Sequence, residues 1–301
     1  HSFPTRRSSD LNTSADKLAK VFKNYFDMIV FDGPCSGEGM FRKDPDAIQY
    51  WHKDYPSELA QLQKDILADG LKMLAPGGQL VYSTCTWSPE ENEGVVAWIL
   101  ENYPDLELVA IPKLNGMSDG IDFPETARMY PHHFKGEGQF VAKFQDKRMP
   151  EQSCIKEGKT NLNKEQKQLW DDFVKKHLKL PLDGLLQVFG DNLYLLPRGL
   201  PDLSKVKIAR NGLHLGIFKK KRFEPSFALG IALTSDEVVS SIELTQEQFA
   251  QYASGNVVTL DQTLENGWYQ LLVDGNGFGF AKVIGNTLKN YYPKEIGRAH
   301  V

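Results

Sequence analysis

Two cysteines carry the chemistry that this chain offers. Cys35 stands in Asp32-Gly33-Pro34-Cys35-Ser36-Gly37-Glu38-Gly39-Met40-Phe41, and Cys85 follows fifty residues later in Ser83-Thr84-Cys85-Thr86. Each motif comes directly after a short apolar run with strand character, Met28-Ile29-Val30-Phe31 and Gln79-Leu80-Val81-Tyr82. In open α/β sheets functional groups gather just beyond the carboxyl ends of strands, so both thiols are expected to face one crevice. A thiolate there is a nucleophile able to form a covalent intermediate. The ordinary use of a cysteine at a strand end, as a small buried hydrophobe, fits either residue taken alone. The pairing of the two motifs favours function for both. Zinc ligation is not indicated, because there is no C-x-x-C spacing and only the adjacent His132 and His133 stand as further donors. A cysteine hydrolase would need a histidine oriented by a carboxylate, and the sequence shows no such spacing. Cys154, in the polar stretch Glu151-Gln152-Ser153, has no catalytic context.

The elements that must position these thiols follow from periodicity and punctuation. Residues 15–23 read as a helix, 27–31 as a buried strand, and 57–74 as an amphipathic helix ending before Ala75-Pro76-Gly77-Gly78, with a second strand at 79–83. Ser88 is placed to cap a helix, Pro89 suits its first position and Glu91 completes a capping box, so a helix is expected from there to about residue 101. Residues 106–111 and 139–144 read as two more strands, which completes a strand–helix–strand–helix–strand unit with a hairpin-like last edge, half of a doubly wound sheet. The glycine-rich turn and acidic residue that grip a nucleotide-type cofactor in such sheets do not precede Asp32, and the glycine clusters at 33/37/39, 136/138 and 275/277/279 read as turns. Arg42 and Lys43 are either solvated loop charges or contacts to a phosphate, with function favoured by their closeness to Cys35. His132, with His133 and Lys135, either approaches the site or belongs to a turn, and Tyr50 and Trp51 are expected to pack a helix.

The chain has 301 residues, 35 basic and 39 acidic, with a formal net charge of −4. That length suits two domains with buried cores. No apolar stretch is long enough for a membrane span, and three cysteines make no disulfide framework, which together suggest a cytoplasmic protein. Mild acidity argues against a generic nucleic-acid coat, yet Lys219-Lys220-Lys221-Arg222-Phe223 concentrates positive charge beside an aromatic, and an RNA-phosphate contact is favoured there. Residues 1–11 and 295–301 read as translated sequencing-adapter DNA and are expected to lie outside the native chain, cut at both ends. Residues 145–164 are polar and charged and read as a linker. Beyond them 185–189, 192–196 and 214–218 have strand character, and 257–260, 268–273 and 278–284 suggest a small β-rich unit.

The motifs DGPCSGEGMFRKDP (32–45), STCTWSPEENE (83–93) and RMYPHHFKGEGQF (128–140), in this order, resemble the Sun-type RNA cytosine-5 methyltransferases. The tail segments YLLPRGLPDL, RNGLHLGIFKKKRFEPS and LKNYYPK resemble the carboxyl-terminal region of the bacterial 16S rRNA members. Gly33 departs from the alanine usual in the family. The resemblance implies an α/β fold: the carboxyl-terminal half of a Rossmann-like class I methyltransferase sheet, followed by smaller α+β and β-rich RNA-binding domains. The implied division is a partial catalytic domain at 12–144, a linker at 145–164, a first RNA-binding domain at 165–224 and a PUA-like module at 225–294. It further implies S-adenosylmethionine as cofactor, no metal, an RNA partner, ribosomal RNA before transfer RNA, and a monomer. By the motif, Cys85 would attack carbon 6 of the base, Cys35 would assist release, and Asp32 would hydrogen-bond the cytosine and, with Pro34, flank the cofactor. The family's glycine-rich cofactor loop has no counterpart here, so the chain is expected to be inactive by itself, and an RNA-binding protein without catalysis is the alternative of a different class.

Overall fold

A computed structural model describes residues 10–150, 156–204 and 206–293, so Cys154 and the expected adapter segments, apart from Asp10 and Leu11, lie outside the described residues. Two compact units are present, residues 13–150 and residues 10–12 with 156–293. Asp10–Leu11 form a two-residue strand, β1, that pairs antiparallel with Ile208–Arg210 in the second unit. These two residues, expected to lie outside the fold, therefore join a ladder.

In the first unit a short helix, α1 (Ala15–Ala19), precedes strand β2 (Phe26–Asp32). Helix α2 (Tyr55–Gly70) leads through a single tight turn into β3 (Leu74–Thr84), then α3 (Glu93–Asn102), β4 (Leu106–Val109), β5 (Met117–Asp119), β6 (Ala127–Met129) and β7 (Gln139–Asp146). The sheet order is β2-β3-β7-β6-β5, with β4 also paired to β7. Only β2 and β3 run parallel; β7 enters antiparallel beside β3 and occupies the interior, not the hairpin-like edge expected of it. Leu80 and Tyr82 alternate with half-buried neighbours on β3, as do Phe140, Ala142 and Phe144 on β7, and this face packs against Ala60 and Leu67 of α2 and Val95, Val96 and Ile99 of α3. Each Val, Leu, Ile or Phe among them that is taken out of water contributes about 1.5–3 kcal/mol.

Five further expectations are corrected. The strand at 27–31 is not buried: β2 is an edge strand paired only with β3, and Met28 (55% exposed) and Val30 (63%) face away from the helices. A parallel strand needs cover on both faces and both edges; among the described residues β2 has it on one of each. The helix expected from Ser88 begins at Glu93, because Ser88 Oγ donates to the Glu90 carboxylate (2.7 Å) and Glu91 turns inward. Ala75-Pro76-Gly77-Gly78, expected to separate helix from strand, lies within β3 at a register shift against β2, with Gly77 at φ +77°. The helix expected at 15–23 stops at Ala19, and residues 145 and 146, assigned to a linker, complete β7.

In the second unit α4 (Lys164–His177) opens with a reciprocal capping box between Asn163 and Gln166. It packs on an antiparallel sheet of β8 (Leu185–Phe189), β9 (Asn192–Leu196), β11 (Leu213–Lys219) and β12 (Arg222–Pro225), following β10 (Ile208–Arg210). Trp170, Phe173, Leu193, Leu215 and Phe223 form its core with Leu229 of α5 (Phe227–Ala232) and Phe280. A five-stranded sheet follows: β13 (Ser241–Glu243), β14 (Val258–Thr259), β15 (Gly267–Val273), β16 (Asn276–Ile284) and β17 (Thr287–Lys289), with α6 (Gln246–Ala253) inserted after β13. None of the described helices is long and apolar enough to cross a membrane.

Candidate active site

The parallel register of β2 and β3 sets Asp32 opposite Ser83, so the chain leaves both strands at one level of the sheet. Three residues past β2 and one past β3, Cys35 Sγ and Cys85 Sγ come to 3.2 Å. Both thiols are half-buried and free. At this separation one sulfur donates to the other, and the pair shares a proton most comfortably as one thiol and one thiolate. Donation from Cys35 lowers the Cys85 pKa from 9.0 to about 7, against the opposing effects of burial and the negative charge of Asp32. The same hydrogen bond, with burial, raises Cys35 far above the ordinary thiol range. Cys85 is therefore the more readily ionised of the two thiols, and Cys35 holds the shared proton.

Three loops cross beside the sulfurs, and glycine makes the crossing possible. Gly39 N donates to the Cys85 carbonyl (2.9 Å), and Gly138 N donates to the Gly39 carbonyl (3.3 Å). A Cβ at Gly39 would lie 2.7 Å from the Cys85 carbonyl oxygen, and one at Gly138 would lie 2.1 Å from Trp87 Nε1. Around them Ser36 and Thr86 hydroxyls meet at 2.7 Å, and Thr86 Oγ1 donates to Glu38 Oε2 (3.2 Å), whose other oxygen accepts from Trp51 Nε1 (3.1 Å). Below the sheet face Glu93 takes Arg128 in a two-pronged ion pair, with contacts of 2.8 and 2.5 Å, while Arg128 Nη1 donates to the Trp87 carbonyl (2.9 Å). That pair fastens β6 to the turn after Cys85.

The sequence-derived candidates fall into three groups. Asp32 and Pro34 are exposed on the rim beside Cys35. Arg42 is exposed but tied to the third loop, donating to the Gly136 carbonyl (2.9 Å) and lying 3.8 Å from Glu137, while Lys43 is exposed next to it. His132 is exposed and stacks on Tyr130, six residues before Gly138. Lys219, Lys220, Lys221 and Arg222 belong to the other unit, where they form the tip of the β11–β12 hairpin, with Lys221 at φ +59° and Arg222 paired to Glu224. Tyr50 (70% exposed) and Trp51 (39%) do not pack a helix as expected; the segment Pro45–Tyr50 is too short and too polar to cover them, and they face solvent. Sequence reasoning missed Gln63, Tyr82, Glu91 and Asn92, all fully or almost fully buried behind the thiols. A run of two acids and an amide after a cysteine motif is the only local sign of them. Among the described residues no three metal-ligating side chains converge.

Comparison with known proteins adds to this geometry. The family model described as 16S rRNA methyltransferase RsmB/F matches residues 6–145, the RsmF rRNA methyltransferase first C-terminal domain matches 172–233, and the methyltransferase RsmF PUA domain matches 239–296. The ribosomal RNA small subunit methyltransferase F of Shewanella loihica is 31% identical over 298 residues, covering 93% of this chain and 60% of its own length. Its counterpart in Escherichia fergusonii is 33% identical over 291 residues, covering 91% of this chain and 59% of its own length. The chain thus spans about 60% of the length of the curated relatives it matches. Among solved structures, NSun6 from Pyrococcus horikoshii with SFG is 31% identical with a TM-score of 0.41, covering 46% of this chain and 34% of that one.

Proposed function

Because this chain belongs to the RsmB/F family of 16S rRNA methyltransferases, we propose that its thiol pair methylates carbon 5 of a cytosine in small-subunit ribosomal RNA by covalent catalysis. The observation that carries this reading is the 3.2 Å contact of Cys85 and Cys35 at the ends of adjacent parallel strands. Carbon 5 of cytosine is a poor nucleophile. Addition of the Cys85 thiolate to carbon 6 moves electron density onto carbon 5. S-adenosylmethionine, when bound, supplies an electrophilic methyl group for that carbon. The residues present fit one wall of a site for it: Asp32, exposed and carboxylate-bearing, and Pro34 beside it line the rim on the Cys35 side.

Asp32 also suits the polar edge of the base, where a hydrogen bond favours the electron-poor ring that accepts a thiolate. Once Cys85 is a thioether it no longer accepts from Cys35, which frees Cys35 to assist release. The carbon-5 proton passes to water, the electron pair of its C–H bond restores the carbon 5–carbon 6 double bond, and Cys85 leaves as thiolate. Arg42, Lys43 and His132 on the rim, with the Lys219–Arg222 hairpin tip, are the proposed contacts to RNA phosphates, and Tyr50 and Trp51 offer exposed faces for a stacked base.

The test joins this chain to the portion of the Shewanella loihica relative that lies outside the match and measures transfer of labelled methyl from S-adenosylmethionine to 16S rRNA. Cys85→Ser is expected to abolish transfer, and Cys35→Ser to accumulate a covalent protein–RNA band. Turnover retained by Cys85→Ser, or methyl found anywhere but carbon 5 of cytosine, refutes the reading.

A further inference from the structure

Behind the two thiols lies a carboxyl group in an unusual setting. The Glu91 side chain is completely buried. Its Oε2 accepts from Ser36 N (2.9 Å) and Gln63 Nε2 (2.9 Å), whereas Oε1 has no partner at all. Its hydrogen-bond partners are amides, not cations, and the ionisable groups facing it offer no compensating charge. They are Glu38 and Cys35 from the first loop, Tyr82 from β3 and Cys85 just beyond it, with Asp32 across the thiols. A buried carboxylate among such neighbours costs far more than a buried carboxylic acid. Burial accordingly drives the Glu91 pKa above its ordinary 4.5.

The hydrogen bonds of Glu91 and of the next residue lead to both cysteines. Ser36 N belongs to the residue after Cys35. Gln63, which bridges to Glu91, also donates to the Pro34 carbonyl on the other side of Cys35 (2.8 Å). Asn92 does the equivalent for Cys85: its Oδ1 accepts from Thr84 Oγ1 (2.6 Å) and its Nδ2 donates to the Thr86 carbonyl (3.1 Å). Two consecutive residues of one turn thus hold the flanks of both sulfurs. Tyr82, 2.5 Å from the Glu91 carbonyl and 2.7 Å from Gln63 Oε1, ties that turn to β3.

We infer that Glu91 is a positioning residue, a neutral carboxylic acid that clamps the Cys35 loop against Cys85 and keeps negative charge away from the nucleophile. Ionised, it would oppose the Cys85 thiolate directly; removed, it would release Ser36 and let Cys35 drift out of hydrogen-bonding range. The inference rests on the methyltransferase reading only for the use made of the thiolate.

The experiment is site-resolved alkylation of Cys85 by iodoacetamide in this chain, without RNA or methyl donor, from pH 5.5 to 9.5. Glu91→Gln keeps an acceptor oxygen for Ser36 and Gln63 and places its NH2 where Oε1 already lacks a partner, so its profile is expected within about twofold of the parent's across the range. Glu91→Ala loses the acceptor, so its profile is expected to move to higher pH, with labelling about fivefold slower at pH 7. A parent-like profile in a folded Glu91→Ala overturns the clamp. A Glu91→Gln profile displaced to lower pH overturns the neutral acid, because neutralising an ionised Glu91 removes a charge that opposes the thiolate, and one displaced to higher pH overturns the clamp. Should Glu91→Ala not fold, by circular dichroism, Glu91→Gln decides alone: retention supports the proposal and displacement refutes it. Because neither substrate is present, the clamp can fail while methyl transfer stands, and methyl transfer can fail while the clamp stands.

Discussion

Removing Cys35 tests the central electrostatic claim, that one thiol prepares the other. In Cys35→Ala the hydrogen bond that lowers Cys85 is gone, while burial and the charge of Asp32 remain, so the Cys85 pKa returns from about 7 to at least its ordinary 9.0. At pH 7 the ionised fraction falls from about one half to about one hundredth, roughly 50-fold. A more basic thiolate is a better nucleophile, and with a Brønsted slope of about 0.4–0.5 the two-unit rise returns roughly 6- to 10-fold. Alkylation of Cys85 at pH 7 should therefore slow by only about 5- to 8-fold. Above about pH 10 both proteins are fully ionised and the variant should be faster by roughly 6- to 10-fold, so the two rate–pH curves cross near pH 8. Iodoacetamide labelling followed by peptide mass spectrometry reads Cys85 separately from every other cysteine. The crossing is the diagnostic, since a variant with Cys85 merely more or less exposed would shift its curve up or down without crossing. Parallel curves, or a midpoint unmoved from the parent's, refute the assignment of Cys35 as the donor.

Other consequences are open to measurement. Arg128 and Glu93 are buried and paired at 2.5 Å, so Arg128→Met should destabilise the first unit by about 3–5 kcal/mol in urea by stranding a carboxylate, and Glu93→Gln in the same chain should restore most of the loss. An unrescued double variant would mean that the lost packing, not the stranded charge, sets the cost. His177 is lowered from 6.5 to about 4 by burial and the nearby Lys176. The unfolded chain then binds the extra proton first, so the second unit should lose stability as pH falls from 6.5 to about 4, and His177→Gln should flatten that limb of the denaturation midpoint. Replacing Lys219, Lys220 and Lys221 with Gln should weaken binding to a single-stranded RNA and lower the slope of log affinity against log salt by about 0.7 for each phosphate that is no longer neutralised. An unchanged slope would remove the hairpin from the proposed RNA surface.

The meeting of the two thiols could be read directly from the chain, because their positions depend on local order. A cysteine three or four residues past an apolar run lands at a strand end whatever surrounds it, and the parallel pairing of β2 with β3 brings two such ends to the same level. What surrounds a strand is a tertiary matter. The run Met28-Ile29-Val30-Phe31 has the apolar continuity of a strand covered on both sides, yet it lies at an edge with Met28 and Val30 in solvent. Nor does local pattern say that β7 will enter antiparallel between β3 and β4, since nothing in residues 139–146 records which strand will be its neighbour.

The same division explains why Ser88-Pro89-Glu90-Glu91 misleads. Each residue obeys the helix-start rules, and in an isolated peptide Glu91 could turn back to cap the chain. In the fold a stronger claim acts on it: the N–H of Ser36 and the amide of Gln63, both behind the thiols, need an acceptor, and an unmet buried donor costs about 1–3 kcal/mol. Glu91 supplies that acceptor at the expense of its own Oε1, and the helix begins two residues later at Glu93, where the side chain is in turn committed to Arg128. Three successive residues, Glu91, Asn92 and Glu93, are thereby drawn from helix capping into holding Cys35, Cys85 and β6. Local rules fail at this turn because the thiol site needs its polar groups more than the helix does, so a broken capping box after a cysteine motif is itself a signal of buried support for the thiols.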